Sequence, residues 1–215
     1  MFNNFIFDLD GTLINSFAEV KKCFILAFEK ANYPVDKSRL TPEIIGPPLE
    51  DIVRNIIPEE KDQNKINEIV ENYNFFYDNE ENDISEVYDG IYNLLETLKS
   101  NNKKIFMATY KPNAPTLRIA RQFNLIDYFE EIYTIDKFRE FITKTQMIEM
   151  IIEKYHLKKD ETVMIGDAVS DMTCAKEAGV FASGVLWGYG SDKQPLIENS
   201  DTVFEKVSDI YNLIQ

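Results

Sequence analysis

The chain has 215 residues, and 23 Lys and Arg against 37 Asp and Glu give a formal net charge of −14. Such an acidic surface repels phosphate backbones, so general nucleic-acid or anionic-membrane binding is not expected. A hydrophobic fraction of 44% with 13% aromatic residues is ample for a packed core and excludes disorder.

The first predicted strand is Phe5-Ile6-Phe7. Helical spacing follows at Phe17, Val20, Phe24, Ala27, Phe28 and Ala31, and again at Ile66, Ile69, Val70, Tyr73 and Phe76–Tyr77. The Gly46-Pro47-Pro48 turn divides this block into at least two helical parts. Helix Ile91–Ser100 comes next, then strand Ile105–Ala108, helix Thr116–Phe123 and strand Ile132–Thr134. Helix Thr145–Tyr155, strand Val163–Ile165, helix Asp171–Ala178, and strands Ala182–Val185 and Val203–Phe204 complete the order. The strands are short and apolar at nearly every position, as in a parallel sheet buried on both faces. The alternation predicts an α/β fold with a doubly wound, Rossmann-like parallel sheet. The helical block, about seventy residues, is far longer than a normal βα connection. It is read as an inserted helical cap over residues 15–84, with residues 1–14 and 85–215 forming the α/β core.

Cys23 and Cys174 sit in helix-like apolar patterns and read as small core residues, not as a disulfide framework. His156 stands at what looks like a solvated helix end. The chain shows no basic leader region and no long apolar run, so a cytoplasmic location is expected.

Four segments carry candidate chemistry. The first strand runs into Asp8-Leu9-Asp10-Gly11-Thr12-Leu13, where i and i+2 spacing projects Asp8 and Asp10 together and Gly11 lets the chain leave the sheet. Two solvated loop acids are the plainer alternative. Gly166-Asp167-Ala168-Val169-Ser170-Asp171 follows a later strand, and Asp171 also reads as a helix N-cap. Thr109-Tyr110-Lys111-Pro112 follows another strand; its hydroxyl and the N–H groups approaching a helix start near Pro115 suit a phosphate, or an ordinary turn. Lys144 opens a helix, with Lys137 and Arg139 as nearby rivals for the same role. All four lie at the same end of successive strands, the ligand side of an open α/β sheet.

In this order, Asp8-x-Asp10-Gly11-Thr12-Leu13, Thr109, Lys144 and Gly166-Asp167-x-x-x-Asp171 resemble the haloacid dehalogenase superfamily of phosphohydrolases over almost the whole chain. Tyr88-Asp89-Gly90-Ile91 and Gly184-Val185-Leu186-Trp187-Gly188-Tyr189-Gly190-Ser191 are similar to the phosphoglycolate-phosphatase-like branch with a helical cap. The resemblance implies a Mg²⁺-dependent phosphatase acting on a small-molecule phosphate ester, phosphoglycolate first. Asp8 would attack phosphorus to form an aspartyl-phosphate. Asp10 would protonate the leaving oxygen and then deprotonate the hydrolytic water. Mg²⁺ would be held by the Asp8 carboxylate, the Asp10 main-chain carbonyl and Asp167, with Asp171 acting through water. Thr109 and Lys144 would hold the transferring phosphoryl oxygens, and Gly11, Gly46, Tyr110 and Lys111 would line the substrate. The physics agrees: two unit charges about 4 Å apart in an effective dielectric near 20 repel by roughly 4 kcal/mol, about a thousandfold in rate. A divalent cation and Lys144 offset that repulsion, and closure of the cap is expected to raise the Asp10 pKa.

Two departures from the family pattern stand out: Thr145 in place of a proline after the lysine, and Tyr110 in place of an asparagine beside Thr109. Asp10 argues against a dehalogenase. Val20, where a mutase would carry a histidine, argues against the alternative of a β-phosphoglucomutase-like phosphomutase. A phospho-signalling receiver lacks a cap, and a non-catalytic phosphate-binding protein would not need the full acid set. The Tyr73-Phe75-Phe76-Tyr77 cluster reads as cap core, and the glycines around Trp187 as a tight loop. The sequence leaves the oligomeric state open.

Overall fold

The computed structural model describes residues 1–79, 84–138 and 140–214, so Arg139 lies outside the described residues. The chain divides into two compact units, Met1–Asn15 with Val87–Gln215, and Ser16–Glu86. In chain order the first unit begins with β1 (Asn4–Phe7) and β2 (Ile14–Asn15). The second holds α1 (Phe17–Lys30), α2 (Leu49–Ile56) and α3 (Gln63–Asn79), followed by β3 (Glu86–Val87) at the return. Then come α4 (Ile91–Ser100), β4 (Lys104–Thr109), α5 (Asn113–Gln122), β5 (Glu131–Thr134) and α6 (Lys144–Tyr155). The chain ends with β6 (Thr162–Gly166), α7 (Val169–Ala178), β7 (Phe181–Val185), α8 (Gln194–Asn199) and β8 (Thr202–Phe204).

Six strands form one parallel sheet in the order β5-β4-β1-β6-β7-β8. The α/β doubly wound sheet expected from the strand pattern is therefore what the chain forms. Its alternating side chains explain why the strands are mostly apolar. Phe5 and Phe7 enter one core layer with Leu94, Leu98, Met107, Ile119 and Ile165. Ile6 enters the opposite layer with Phe106, Met147, Ile151, Met164 and Ala175. Burial on both faces favours apolar side chains, and Asn4, Lys104, Glu131 and Thr162 stand at strand starts. The chain first runs outward from β1 through β4 to β5, then returns to the other side of β1 for β6, β7 and β8. That reversal places a crevice at the carboxyl ends of β1 and its neighbours, where open α/β sheets bind ligands.

Helix ends differ from the sequence expectation where caps decide. Helix α5 starts at Asn113, one residue past Pro112, and not at Thr116, whose N–H already bonds the Pro112 carbonyl. Helix α7 starts at Val169, so Asp171 is its third residue and not its N-cap; the Asp171 carboxylate accepts the Ala168 N–H at 3.1 Å. Helix α6 opens with a reciprocal Thr143–Gln146 capping box and closes at exposed His156, in the left-handed conformation at φ 52°. Cys23 and Cys174 are buried and not joined in a disulfide.

Within the helical unit, Val20, Phe24 and Phe28 of α1 pack in one core with Ile52 and Val53 of α2 and with Ile66, Ile69 and Tyr73 of α3. The Phe24 and Tyr73 rings lie 4.4 Å apart. Of the aromatic cluster read as core, Phe75 is instead 52% exposed, with the Lys30 ammonium 4.0 Å from its ring centre. Glu19 is fully buried and accepts a short hydrogen bond from the Ser85 hydroxyl. Among the described residues, no helix is long and apolar enough to cross a membrane.

Candidate active site

Asp8 directly follows β1, and its N–H bonds the Ile165 carbonyl at 2.9 Å, extending the pairing with β6 by one residue. Beyond it the chain turns sharply. The Leu9 carbonyl accepts the N–H groups of Thr12, Leu13 and Ile14, and Gly11 takes φ 79° to make the turn. Asp167 stands in the corresponding position after β6, and Asp171 follows in the first turn of α7. One carboxylate oxygen from each of Asp8, Asp167 and Asp171 falls within 4.8 Å of the others, and all three residues are buried.

A single lysine meets this cluster. Lys144, the first residue of α6 and 2% exposed, donates to Asp8 Oδ1 at 2.9 Å and to Asp171 Oδ1. The capping box ahead of it fixes where the helix begins and so where that side chain starts. The rival Lys137 is spent elsewhere, on Glu131 at 2.8 Å and the Ile132 carbonyl at 2.6 Å.

Three acids to one lysine leave the cluster short of positive charge. Burial pushes the Asp8 carboxyl up to about 6; Lys144 opposes that shift and Asp171 adds to it. Burial likewise holds Asp167 well above the carboxylate range, with the charges of Asp171 and Asp8 adding to it. For Lys144 burial acts downward, but the Asp171 and Asp8 charges outweigh it, so the ammonium persists.

Asp167 is gripped by a loop that the sequence read as a tight turn, with a substrate contact and not an Asp167 contact as its alternative. The Tyr189 N–H donates to its Oδ2 at 2.7 Å, and the Thr12 hydroxyl faces its Oδ1 at 3.4 Å. A side chain at Gly11 or Gly188 would collide with the Asp167 carboxylate. Lys193 holds the loop by donating to the Gly188 and Tyr189 carbonyls at 3.0 and 2.9 Å, and the Trp187 indole donates to the Thr12 carbonyl at 3.1 Å. The sequence signal for this loop was its glycine spacing, which marks close approach without naming what approaches.

Asp10 does not join the cluster. It lies beyond the end of β1, just ahead of Gly11 and in a bridge with Ile14, so strand alternation no longer governs it. Lys111 donates to both Asp10 oxygens at 3.1 Å, with the two side chains 8% and 13% exposed. Thr109 is buried at the end of β4, and its hydroxyl accepts the Lys111 N–H at 3.2 Å. The expected phosphate cradle at the start of α5 is partly taken, because Asn113 donates its N–H to Asp136 at 2.7 Å. Tyr110 turns to Lys144, accepting its backbone N–H at 3.2 Å. Gly46 belongs to the helical unit, at φ 120° with open space where a side chain would stand.

The donor set itself tests for a metal. Three buried carboxylates are hard oxygen donors, and burial, with the charges of neighbouring acids adding to it, raises the pKa values of Asp8 and Asp167. Such a set fits a hard divalent cation.

Comparison with known proteins places the chain in a family. A family model described as haloacid dehalogenase-like hydrolase matches residues 5–185. A protein named pyrophosphatase PpaX from Halalkalibacterium halodurans is 28% identical over 99% of this chain and 96% of its own length. The structure of a haloacid dehalogenase-like family hydrolase from Streptococcus pneumoniae superposes with a TM-score of 0.87 at 25% identity, covering 100% of this chain and 99% of that one. A predicted phosphoglycolate phosphatase from Haemophilus somnus shares the fold with a TM-score of 0.89 at 23% identity, covering 100% and 98%.

Proposed function

The chain is a phosphatase-type member of the haloacid dehalogenase-like hydrolase family, and from that premise we propose that it hydrolyses a small phosphorylated metabolite, with Mg²⁺, through an aspartyl-phosphate on Asp8. The observation that carries the reading is the buried cluster of Asp8, Asp167 and Asp171 around Lys144 at the carboxyl ends of β1 and β6.

Mg²⁺ would be held by the Asp8 and Asp167 carboxylates and the Asp10 main-chain carbonyl, and would offset the repulsion between Asp8 and a phosphate dianion. Asp171 would act through water, a role supported by its two oxygens being occupied by Lys144 and the Ala168 N–H. Lys144 holds Asp8 Oδ1, which leaves Oδ2 to form the bond to phosphorus as the P–O bond to the leaving group breaks. Asp10 gives its proton to the departing oxygen. It then takes one from the water whose oxygen bonds phosphorus and releases the Asp8 carboxylate. Thr109 and Lys144 position the phosphoryl oxygens, and Lys111, beside Asp10, faces the leaving group.

Phosphoglycolate is the first substrate to try. Inorganic pyrophosphate belongs beside it, because the relative named a pyrophosphatase aligns over 99% of the chain. The test is phosphate release with Mg²⁺ over phosphoglycolate, pyrophosphate, sugar phosphates and nucleotides, with trapping of the intermediate. Asp10→Asn accumulates phosphoenzyme and Asp8→Asn forms none; wild-type turnover in both variants would overturn the assignment.

A further inference from the structure

We propose that Tyr110 is a positioning residue that holds the Lys144 side chain against Asp8, and not a substrate contact; this rests on the role given to Lys144 above. One tyrosine touches Lys144 at both ends. Its ring centre lies 5.0 Å from the Lys144 ammonium. Its hydroxyl accepts the Lys144 backbone N–H at 3.2 Å and faces Cys174 Sγ on α7 at 3.8 Å. The Lys144 N–H is one of the helix-start donors that the helix itself cannot satisfy, so the hydroxyl anchors the first turn of α6 to the end of β4.

A lysine stem has four flexible carbons, and placing its charge needs a wall as well as acceptors. Asp8 and Asp171 are the acceptors; the Tyr110 ring face is a wall with favourable electrostatics for a cation. Tyr110 also borders a cavity of about 640 Å³, lined by Thr143, Thr145, Val169, Ser170 and Cys174 among others. Lys144 does not line that cavity and is 2% exposed. With ring and hydroxyl both engaged on Lys144, the departure from asparagine beside Thr109 gains a purpose.

The test compares full-length wild type, Tyr110→Leu and Tyr110→Phe. It measures kcat and KM for p-nitrophenyl phosphate with Mg²⁺, and the rate of Lys144 acetylation by acetic anhydride, read by peptide mass spectrometry. Tyr110→Leu lowers kcat about tenfold with KM within about twofold, and Lys144 is acetylated about tenfold faster. Tyr110→Phe keeps the ring and recovers kcat to within about threefold of wild type. It still speeds amide exchange at Lys144, which keeps the proposal testable if the leucine variant does not fold. A raised KM with unchanged kcat and unchanged acetylation would make Tyr110 a substrate contact and overturn the proposal, as would no change in any readout. Absence of turnover in the wild type counts against the phosphatase reading alone; the acetylation and exchange rates still decide the role of Tyr110.

Discussion

Two ion clusters in the α/β unit have opposite arithmetic. Around Lys144, three buried acids share one cation, and Asp8 is pushed up to about 6. Around Glu131 on β5, one acid meets two cations, Lys137 and Lys154 each at 2.8 Å, with the Tyr155 hydroxyl at 3.2 Å. Burial acts upward on Glu131, but the two lysines outweigh it and bring its carboxyl down to about 2. The second cluster is electrostatically complete and braces β5 against α6. The first is unfinished within the protein, and a buried excess of acid is the mark of a site built for something from outside.

The sharpest way to break this contrast is Asp8→Asn. If the excess acids serve chemistry, phosphatase turnover falls by at least about a thousandfold; Glu131→Gln leaves turnover near wild type. The next effect is on stability in EDTA as pH changes. An acid whose folded pKa is raised stabilises the fold when protonated, so the Asp8 contribution is present below about 4 and is lost as pH rises through about 6. Denaturant titrations of the metal-free wild type are expected to lose about 3 kcal/mol across that window, and Asp8→Asn to lose much less. A flat profile in both would mean the cluster carries no excess charge.

Added Mg²⁺ should reverse that loss. At a hundred times its dissociation constant a bound ion adds about 2.7 kcal/mol, a rise in melting temperature of roughly 5–10 °C for a chain of this size. Asp167→Asn should abolish most of the rise, and an equal rise in both proteins would remove Asp167 from the ligand set. The smallest effect belongs to the complete cluster. Glu131→Gln costs about 2 kcal/mol at neutral pH once solvent screening of the half-exposed Lys154 is allowed for. Because the folded pKa of Glu131 is depressed, the wild-type advantage is present above about 4.5 and fades as pH falls toward about 2, opposite in direction to Asp8. Melting curves of both proteins between those pH values check it.

Much of this was legible from residue order. The six sheet strands were visible as apolar runs because both faces of a parallel sheet are buried, and each run lies within an observed strand. Asp8, Asp167 and Lys144 stood out by their place after strands or at a helix start. Helices α2 and α8, of eight and six residues, carry too few turns for a clear period. Two-residue strands β2 and β3 carry none. The i, i+2 rule does not reach Asp10, because β1 ends at Phe7. The Trp187–Gly190 loop could not be tied to Asp167 from sequence, since a backbone N–H has no residue identity.

Local pattern alone therefore determined which segments become strands and which acids reach their carboxyl ends, because side-chain period and burial are properties of neighbouring residues. Tertiary structure alone decided the pairings: Lys144 with Asp8 and Asp171, Lys111 with Asp10, Tyr110 with Lys144, and Tyr189 with Asp167. Those partners lie tens to more than a hundred residues apart. Which of them meet depends on strand order and on where each helix begins relative to its cap, and that geometry exists only once the sheet has assembled.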